Sequence, residues 1–272
     1  MRIDKEPLRL PGTTIDPLYP SSDGEPMGEG DLHTQAVLVL REALEDFYAA
    51  AGRADVYIAS NMLLYYEQGV TKARREPDVL VALGASTHSR RSFRSFEEGR
   101  LPNVVFEIAS ESTHAEDNGD KLQVYQSLGI KEYFLFDPHG EFYDPTLRGH
   151  RLTRGRYVPI RPVEGATLPS RQLGLWLVGQ GSELRPIDPT TGLMVPTRRE
   201  RIEQIEEALD LSQRARREER LSRLRAERAV RRADEEAQKS KEEAQKSKDR
   251  VRELEDELRR LRGLPPGEAP HA

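Results

Sequence analysis

Two short segments of the chain, Val79–Leu83 and Val104–Ala109, are apolar at almost every position. Segments of this length are typical of strands, and strands with two apolar faces lie in the centre of a sheet that is covered on both sides. A helical pattern runs from Thr113 to Leu128 with Gly129 as its stop, and a β-rich segment follows at Tyr133–Phe136. The order strand, helix, strand predicts a βαβ crossover, and therefore an α/β fold with a mixed sheet flanked by helices.

The rest of the front portion supplies further elements of such a sheet. Asp31 is predicted to cap a first helix that ends before Gly52, with an apolar stripe that packs on the sheet. The polar segment Gly84–Leu101 is expected to be a long loop that faces a substrate or moves. Additional strands are predicted at Val56–Ala59, Met62–Tyr66, Phe142–Tyr143, Tyr157–Ile160 and Leu175–Val178.

Composition divides the chain into five parts. Residues 1–30 are rich in proline and glycine and are predicted to form an N-terminal arm, followed by one folded domain over 31–180. A second stretch with several prolines and glycines indicates a linker over 181–197. Residues 198–262 are rich in Arg, Glu, Ala, Lys and Leu and predict one long helix, and 263–272 is expected to be a flexible tail.

The long helix carries a heptad repeat. Small or aliphatic residues recur every seven positions, and the heptad Glu-Glu-Ala-Gln-Lys-Ser-Lys occurs twice in succession from Glu235. Because Ala and Ser bury little apolar area, the pattern favours a marginal coiled coil that forms a homodimer or docks on a partner. The alternative is a solvated single helix, which pairs such as Glu235 with Lys239 would support. The repeat consists of two series of residues with a spacing of seven, which are Ala237, Ala244, Val251 and Leu258, and Ala233, Ser240, Ser247, Leu254 and Leu261.

Several classes of protein are excluded or disfavoured by composition. The sequence contains no cysteine, so a disulfide framework and a zinc-thiolate site are ruled out and any metal must be a hard cation held by oxygen or histidine. No apolar window is long enough for a signal peptide or a membrane span, which predicts a cytoplasmic protein without a membrane partner. Gly-x-Ser-x-Gly and glycine-rich phosphate-loop motifs do not occur where hydrolase or nucleotide chemistry needs them.

The distribution of charge is unfavourable for bulk attraction to nucleic acid. Before Thr197 the chain has 21 basic and 28 acidic residues, whereas from Thr197 onward it has 21 basic and 19 acidic residues. Metal-binding carboxylates would account for part of the acidic excess. Local basic groups that could still meet phosphates are Lys72, Arg74 and Arg75, and Arg90, Arg91 and Arg94.

Glu107 is a charged residue within one of the two apolar predicted strands. A carboxylate inside a doubly apolar strand costs several kcal/mol of desolvation unless a cation or hydrogen bonds compensate it. Asp78 lies at the mouth of the other apolar strand, so if the two strands are neighbours both acids can bind one Mg²⁺ or Mn²⁺. The alternative is that Glu107 forms a structural ion pair and Asp78 only caps a turn after Pro77.

Lys121 is the third candidate, at the start of the helix that follows Glu107. Its ammonium could stabilise charge on phosphoryl oxygens or lower the pKa of an attacking water, whereas the alternative is a surface lysine paired with Asp117. Ser110 could orient a ligand or water but is more typical of a turn cap. His33, in the first turn of the first helix, is a possible supporting residue.

These residues resemble a known family. The resemblance to the Uma family of restriction endonucleases is carried by Pro77-Asp78, the segment from Pro102 to Thr113, Asp117…Asp120-Lys121-Leu122…Tyr125, and the segment from Gly129 to Pro138. That family belongs to the PD-(D/E)XK nuclease superfamily. The resemblance spans roughly residues 31–178 and excludes the coiled coil. It implies a restriction-endonuclease-like fold over the predicted domain 31–180.

The resemblance also implies an activity. It implies Mg²⁺-dependent hydrolysis of DNA phosphodiester bonds, with Asp78 and Glu107 as metal ligands and Lys121 as the catalytic lysine. In the superfamily the lysine stands two residues after the acid, which here is Ala109, so the resemblance assigns the role to Lys121 on the next helix. The alternatives are an inactive nuclease-fold scaffold that works through its coiled coil, and a nuclease for RNA or branched DNA. Pairing of two active sites for two strands would give the coiled coil a purpose.

Overall fold

The computed structural model describes residues 18–19 and 30–262. Its centre is a six-stranded mixed sheet that consists, in spatial order, of Val56–Ser60 (β1), Val79–Leu83 (β4), Val104–Ile108 (β6), Glu132–Phe136 (β7), Leu147–Thr153 (β8) and Arg156–Pro159 (β9). Strands β4 and β6 are antiparallel to each other, and β6 is parallel to β7. The mixed α/β fold predicted from the sequence is therefore confirmed.

The predicted βαβ crossover joins β6 to β7. Its helical part consists of α3 (His114–Glu116), a π-helical turn over Asp117–Lys121 and α4 (Leu122–Leu128). Gly129 ends α4 with a φ of 84°, a conformation that costs glycine little because it has no Cβ. π-helical turns are rare in proteins, and those that occur are often found at functional sites. Here the turn separates two segments of one continuous helical run.

A second layer covers the face of the central sheet that lies opposite the crossover helix. Helix α1 (Asp31–Ala50) buries its stripe of Ala36, Leu40 and Leu44 against this face. Gly30 precedes the helix as its N-cap, one residue earlier than predicted. A four-stranded sheet of β10 (Leu168–Ser170), β11 (Leu175–Gln180), β12 (Glu183–Asp188) and β13 (Leu193–Met194) completes this layer.

Two predicted features are wrong, the linker over 181–197 and the strand Phe142–Tyr143. Residues 181–197 are not a linker, because β12 and β13 extend the second sheet and Leu184 is fully buried. Pro186 is tolerated in β12 because its carbonyl accepts from the N–H of Val195 and no donor is required. Phe142 and Tyr143 do not form a strand, because their N–H groups bind the side chain of Asp137.

The predicted long loop 84–101 is partly ordered structure. It contains β5 (Phe93–Arg94) and α2 (Ser95–Glu98), and β5 joins β2 (Leu64–Tyr65) and β3 (Arg74–Arg75) in a small sheet. Arg90 lies 4.1 Å from the ring centroid of Tyr57 and pairs with Glu98, so it serves internal packing. The expectation that this arginine meets phosphate is therefore not supported by its contacts.

The last element among the described residues is a helix of 64 residues, α5 (Arg198–Leu261). Thr197 and Glu200 form a reciprocal capping box, in which the N–H of Thr197 donates to Glu200 and the N–H of Glu200 donates to the hydroxyl of Thr197. Arg198 binds Glu42 and Glu45 of α1. The predicted long helix is confirmed, whereas its pairing as a coiled coil stays a prediction.

The chain divides into two compact units, residues 1–201 and 202–272. The predicted arm 1–30 lies outside the described residues apart from 18–19 and 30, and Tyr19 packs edge-on against Tyr65. The predicted tail 263–272 also lies outside them. None of the helices within residues 30–262 is both long enough and apolar enough to span a membrane.

Candidate active site

Asp78 and Glu107 lie opposite each other on neighbouring central strands. The antiparallel register that pairs Val79 with Phe106 places Asp78 across from Glu107. Asp78 accepts the N–H of Ile108 through Oδ2 at 2.6 Å, which holds the carboxylate against β6. Glu107 is fully buried. The sequence condition for a shared site, that the two strands be neighbours, is met.

The crossover helix brings Lys121 to Glu107. The Nζ of Lys121 lies 3.0 Å from Oε2 of Glu107 and 2.8 Å from Oδ1 of Asp117, and Asp117 is fully buried. The hydroxyl of Tyr125 donates to Oε1 of Glu107 at 2.8 Å. Lys121 therefore makes the contact with Asp117 that the surface-lysine alternative described, but it makes it inside the protein together with a contact to Glu107.

The electrostatics of this cluster are dominated by an excess of negative charge. Burial raises the pKa of Glu107 well above its ordinary value, and the nearby Asp78 and Asp117 raise it further, while Lys121 opposes the shift. Burial also raises the pKa of Asp117, again against Lys121. Burial disfavours the ammonium of Lys121, but the carboxylates of Glu107 and Asp117 outweigh this effect and raise its pKa. One ammonium thus faces three carboxylates in a region of low dielectric constant.

The two supporting candidates, His33 and Ser110, both line a cleft of about 580 Å³. The Nε2 of His33 is 3.3 Å from Oδ2 of Asp78, and His33 also lines the cleft, so Asp78 lies directly behind the cleft wall. Ser110 lines the cleft as well, and its hydroxyl bonds Ser112 and Thr113 in the turn before α3, which is the turn-capping alternative. The cleft is lined by Gly30, His33, Ser110, Glu111, Ser112, His139, Glu141 and Phe142.

Comparison with known proteins identifies the family. The family model described as "Uma2: Putative restriction endonuclease" matches residues 7–179, which is more than half of the chain. This chain belongs to the Uma2 family. A search of the curated proteins found no match to the Uma2 chain. A solved structure of a "putative nuclease belonging to DUF820" from Anabaena variabilis ATCC 29413 matches the Uma2 chain with 13% identity and a TM-score of 0.40, over 55% of this chain and 76% of that one.

The donor set of the Uma2 chain fits a hard divalent cation. Magnesium binds oxygen ligands and is commonly held by one or two carboxylates plus water and substrate phosphate. Asp78 and Glu107 supply two such carboxylates, and the surplus of negative charge would be offset by a dication. Among residues 18–19 and 30–262 no group of three or more His, Asp or Glu side chains is arranged to hold a metal ion. Two protein ligands are therefore the set to be tested.

A second buried glutamate shows what a purely structural carboxylate looks like in this fold. Glu132, on the neighbouring strand β7, is also fully buried. It accepts hydrogen bonds from Arg151 and Ser170 and from the N–H groups of Arg171 and Gln172. No second carboxylate competes for these donors among its contacts in the described chain. Glu107 differs from Glu132 in this respect, because it shares the ammonium of Lys121 with Asp117.

Sequence reasoning missed three residues that shape the Uma2 site. The sequence predicts no role in the site for Asp117 beyond pairing with a surface lysine, and none for Tyr125, which lies on the apolar stripe of the predicted helix Thr113–Leu128. Tyr133 donates its hydroxyl to the carbonyl of Asp117 at 2.8 Å, which fixes the π-helical turn to β7. The signal available for Tyr125 was its spacing of four residues from Lys121, which places both side chains on one face of the helix.

Asp137 holds one wall of the cleft. Its carboxylate accepts four backbone N–H groups, from His139, Gly140, Phe142 and Tyr143, at 2.6–3.0 Å. Burial opposes the charge, but these hydrogen bonds outweigh it and lower the pKa of Asp137. The loop that carries His139, Glu141 and Phe142 into the cleft is therefore folded around one carboxylate.

Asp137→Asn is expected to destabilise the Uma2 chain by about 2 kcal/mol at pH 7, because the amide NH₂ faces N–H donors that then lack an acceptor. Since the folded-state pKa of Asp137 is lowered, its contribution to stability is present above the unfolded pKa of about 4 and is lost as the pH falls below it. Urea denaturation at pH 7 and at pH 3 measures this. An equal deficit at both pH values would contradict the role of the charge.

Proposed function

We propose that the chain is a divalent-metal-dependent endonuclease that hydrolyses phosphodiester bonds of DNA. Asp78 and Glu107 would hold Mg²⁺ or Mn²⁺, and Lys121 would act beside them. The observation that carries the proposal is the convergence of these three side chains, which are far apart in sequence, on one cluster with a surplus of negative charge. Membership of a family described as a restriction endonuclease supports the same reaction class.

The chemistry divides between the cation and the residues of the chain. Bound Mg²⁺ would supply Lewis acidity, which polarises the phosphate and makes a water molecule more acidic. Asp78 is held by the N–H of Ile108 and would keep its second oxygen for a ligand. The ammonium of Lys121 would stabilise negative charge that develops on the phosphoryl oxygens. A water oxygen bonds to phosphorus, the bond to the leaving sugar oxygen breaks, and the proton of the water passes to the leaving oxygen or to solvent.

Positioning within the site would come from the side chains that contact Glu107, Lys121 and Asp78. Tyr125 orients Glu107 through Oε1 at 2.8 Å, and Asp117 holds the ammonium of Lys121 at 2.8 Å. His33 contacts Asp78 from the cleft side. Catalytic groups are effective when their supporting contacts restrict their orientation before substrate binds. The cytoplasmic location expected from the sequence stays a prediction.

A second candidate function is a nuclease-fold scaffold without catalysis, which acts through the long helix. The observation that favours it is that both oxygens of Glu107 already have partners, Tyr125 and Lys121, so the cluster is satisfied as an internal ion pair. In addition, the cleft carries the carboxylates of Glu111 and Glu141, which repel phosphate unless a cation intervenes.

Plasmid nicking separates the two candidates. We expect nicking in Mg²⁺ or Mn²⁺, none in EDTA, and loss of at least about 100-fold in Asp78→Asn, since removal of even a supporting group of a metal site costs about 10-fold to 100-fold. Exposed Asp120→Asn, at the residue directly before Lys121, is the matched control and should cleave normally. No nicking by any of them would favour the scaffold, and equal nicking by all would indicate a contaminating nuclease. Single-stranded, branched and RNA substrates test the remaining choice of nucleic acid.

A further inference from the structure

The last half of α5 presents an apolar seam that nothing covers within the described chain. Within residues 230–262, Val251, Leu254, Leu258 and Leu261 are 45–81% exposed and follow one another at spacings of three and four residues. The same seam continues toward the N-terminus through small residues, Val230, Ala233, Ala237, Ser240, Ala244 and Ser247. In heptad notation these are the a and d positions of five consecutive heptads.

The residues that flank this seam carry charges in a fixed order. The g positions are Glu236, Glu243, Arg250 and Glu257, and the e positions five residues later are Lys241, Lys248, Glu255 and Arg262. In a parallel two-stranded coiled coil each g residue meets the partner's e residue of the next heptad. All four pairs are then of opposite charge, and the two-fold axis repeats each of them.

We propose that residues 230–262 pair with the same residues of a second copy of this chain as a parallel, in-register, two-stranded coiled coil. The partner is a second copy of this chain because every charged g residue finds an opposite charge at the e position five residues later in the same sequence. The proposal does not depend on nuclease activity. The four pairs are Glu236 with the partner's Lys241, Glu243 with the partner's Lys248, Arg250 with the partner's Glu255, and Glu257 with the partner's Arg262.

An antiparallel dimer fits the charges less well. There g residues face g residues and e residues face e residues. Full overlap of 230–262 would place Glu236 against the partner's Glu257 and Lys241 against the partner's Lys248, both of like charge. The parallel arrangement avoids every like-charge contact, so charge selects the orientation.

Intrachain contacts leave the flanking charges in the small-residue half available. Along this part of α5 the hydrogen bonds join Arg231 to Glu235, Gln238 to Glu242 and Gln245 to Asp249, all of which are outward-facing positions of the heptad. Within the described residues Glu236, Lys241, Glu243 and Lys248 make no ion pair. Because Ala and Ser let two helices approach closely, the aliphatic stems of these side chains can lie over the seam, and their charges set the register.

Charge reversal in the full chain tests the proposal. Variant one is E236K/E243K and variant two is K241E/K248E. Each places like charges at four interhelical contacts, so we expect self-association at least about 100-fold weaker than in the wild-type chain. Mixing the two variants restores opposite charges at all four contacts, and a chain that carries all four substitutions restores them in a homodimer. Light scattering reads the mass against the chain mass of 30.9 kDa.

The outcomes are decisive in both directions. Recovery of twice the chain mass in the mixture and in the four-fold variant supports the parallel, in-register pairing. A monomeric wild-type chain, or variants that associate as well as wild type, would overturn it. Circular dichroism of each variant reports whether the helix itself is retained, so that loss of mass is not confused with unfolding.

Crosslinking gives an independent reading of orientation, because the chain has no native cysteine. In a parallel, in-register dimer each d residue faces its own equivalent, so Leu254→Cys should form a disulfide dimer when diamide is added. Outward-facing Asp256→Cys is the matched control and should not. A Leu254→Cys chain that crosslinks only when mixed with Ala237→Cys would indicate antiparallel pairing and contradict the proposal.

Discussion

Lys121→Met is expected to lower the free energy of unfolding by about 3 to 5 kcal/mol at pH 7, because it leaves the buried carboxylates of Glu107 and Asp117 without their ammonium partner. The methionine side chain nearly preserves the shape of the lysine stem, so the loss reports charge rather than packing. Lys131→Met, at an exposed position, is the matched control and should change stability by less than about 0.5 kcal/mol.

The deficit of Lys121→Met should depend on pH in a defined direction. The pKa of Glu107 is already raised in the folded chain, and loss of Lys121 removes the main influence that lowers it. A carboxyl group whose pKa is raised by folding destabilises the fold above its unfolded pKa of about 4, and this effect disappears as the pH falls to that value. Urea denaturation from pH 8 to pH 4 should therefore show a shrinking deficit. A variant as stable as Lys131→Met would contradict the ion-pair cluster.

Glu107→Gln is expected to separate stability from activity. The glutamine oxygen can still accept from Tyr125, while the buried charge is removed, so stability at pH 7 should stay equal to wild type or rise by about 1 kcal/mol. Cleavage should fall by at least about 100-fold, because a neutral amide is a poor ligand for Mg²⁺ in place of a carboxylate. The gain in stability should shrink as the pH falls and wild-type Glu107 becomes protonated.

Glu132→Gln is the matched comparison on the adjacent strand. That substitution weakens four hydrogen bonds, one of them to an arginine, and is expected to cost about 2 kcal/mol of stability while the folded fraction retains full activity. Urea denaturation and plasmid nicking are measured on both variants. If Glu107→Gln and Glu132→Gln behave alike, Glu107 is a structural carboxylate and the scaffold function gains support.

The contrast between these two glutamates explains why an apparently unfavourable cluster can persist. Several carboxylates around one ammonium reduce the stability of the fold when no metal ion is bound, whereas a fully hydrogen-bonded carboxylate such as Glu132 increases the stability of the fold. Sites that bind ligands commonly carry such a cost, and the rest of the fold offsets it. If the site binds Mg²⁺ only in the folded chain, Mg²⁺ is expected to raise the free energy of unfolding of the wild-type chain and not that of Glu107→Gln.

Local sequence determined the central strands, the crossover helix and the long C-terminal helix. Burial of a strand on both faces demands apolar residues at consecutive positions, and a left-handed helix end demands glycine, so Val79–Leu83, Val104–Ala109 and Gly129 could be interpreted without knowledge of their neighbours. Glu107 was recognisable for the same reason, since a charge within such a strand requires compensation wherever the strand lies.

Tertiary structure alone decided which groups provide that compensation. Three of the four donors to Glu132 come from residues 38–40 positions away, and the four N–H groups that bind Asp137 turned an expected strand into a loop. Residues 181–197 resembled a linker because of their prolines and glycines, and only pairing with β11 makes them a sheet. Local patterns report what a segment must bury, whereas hydrogen-bond partners are chosen by how distant segments pack, which a single stretch of sequence does not encode.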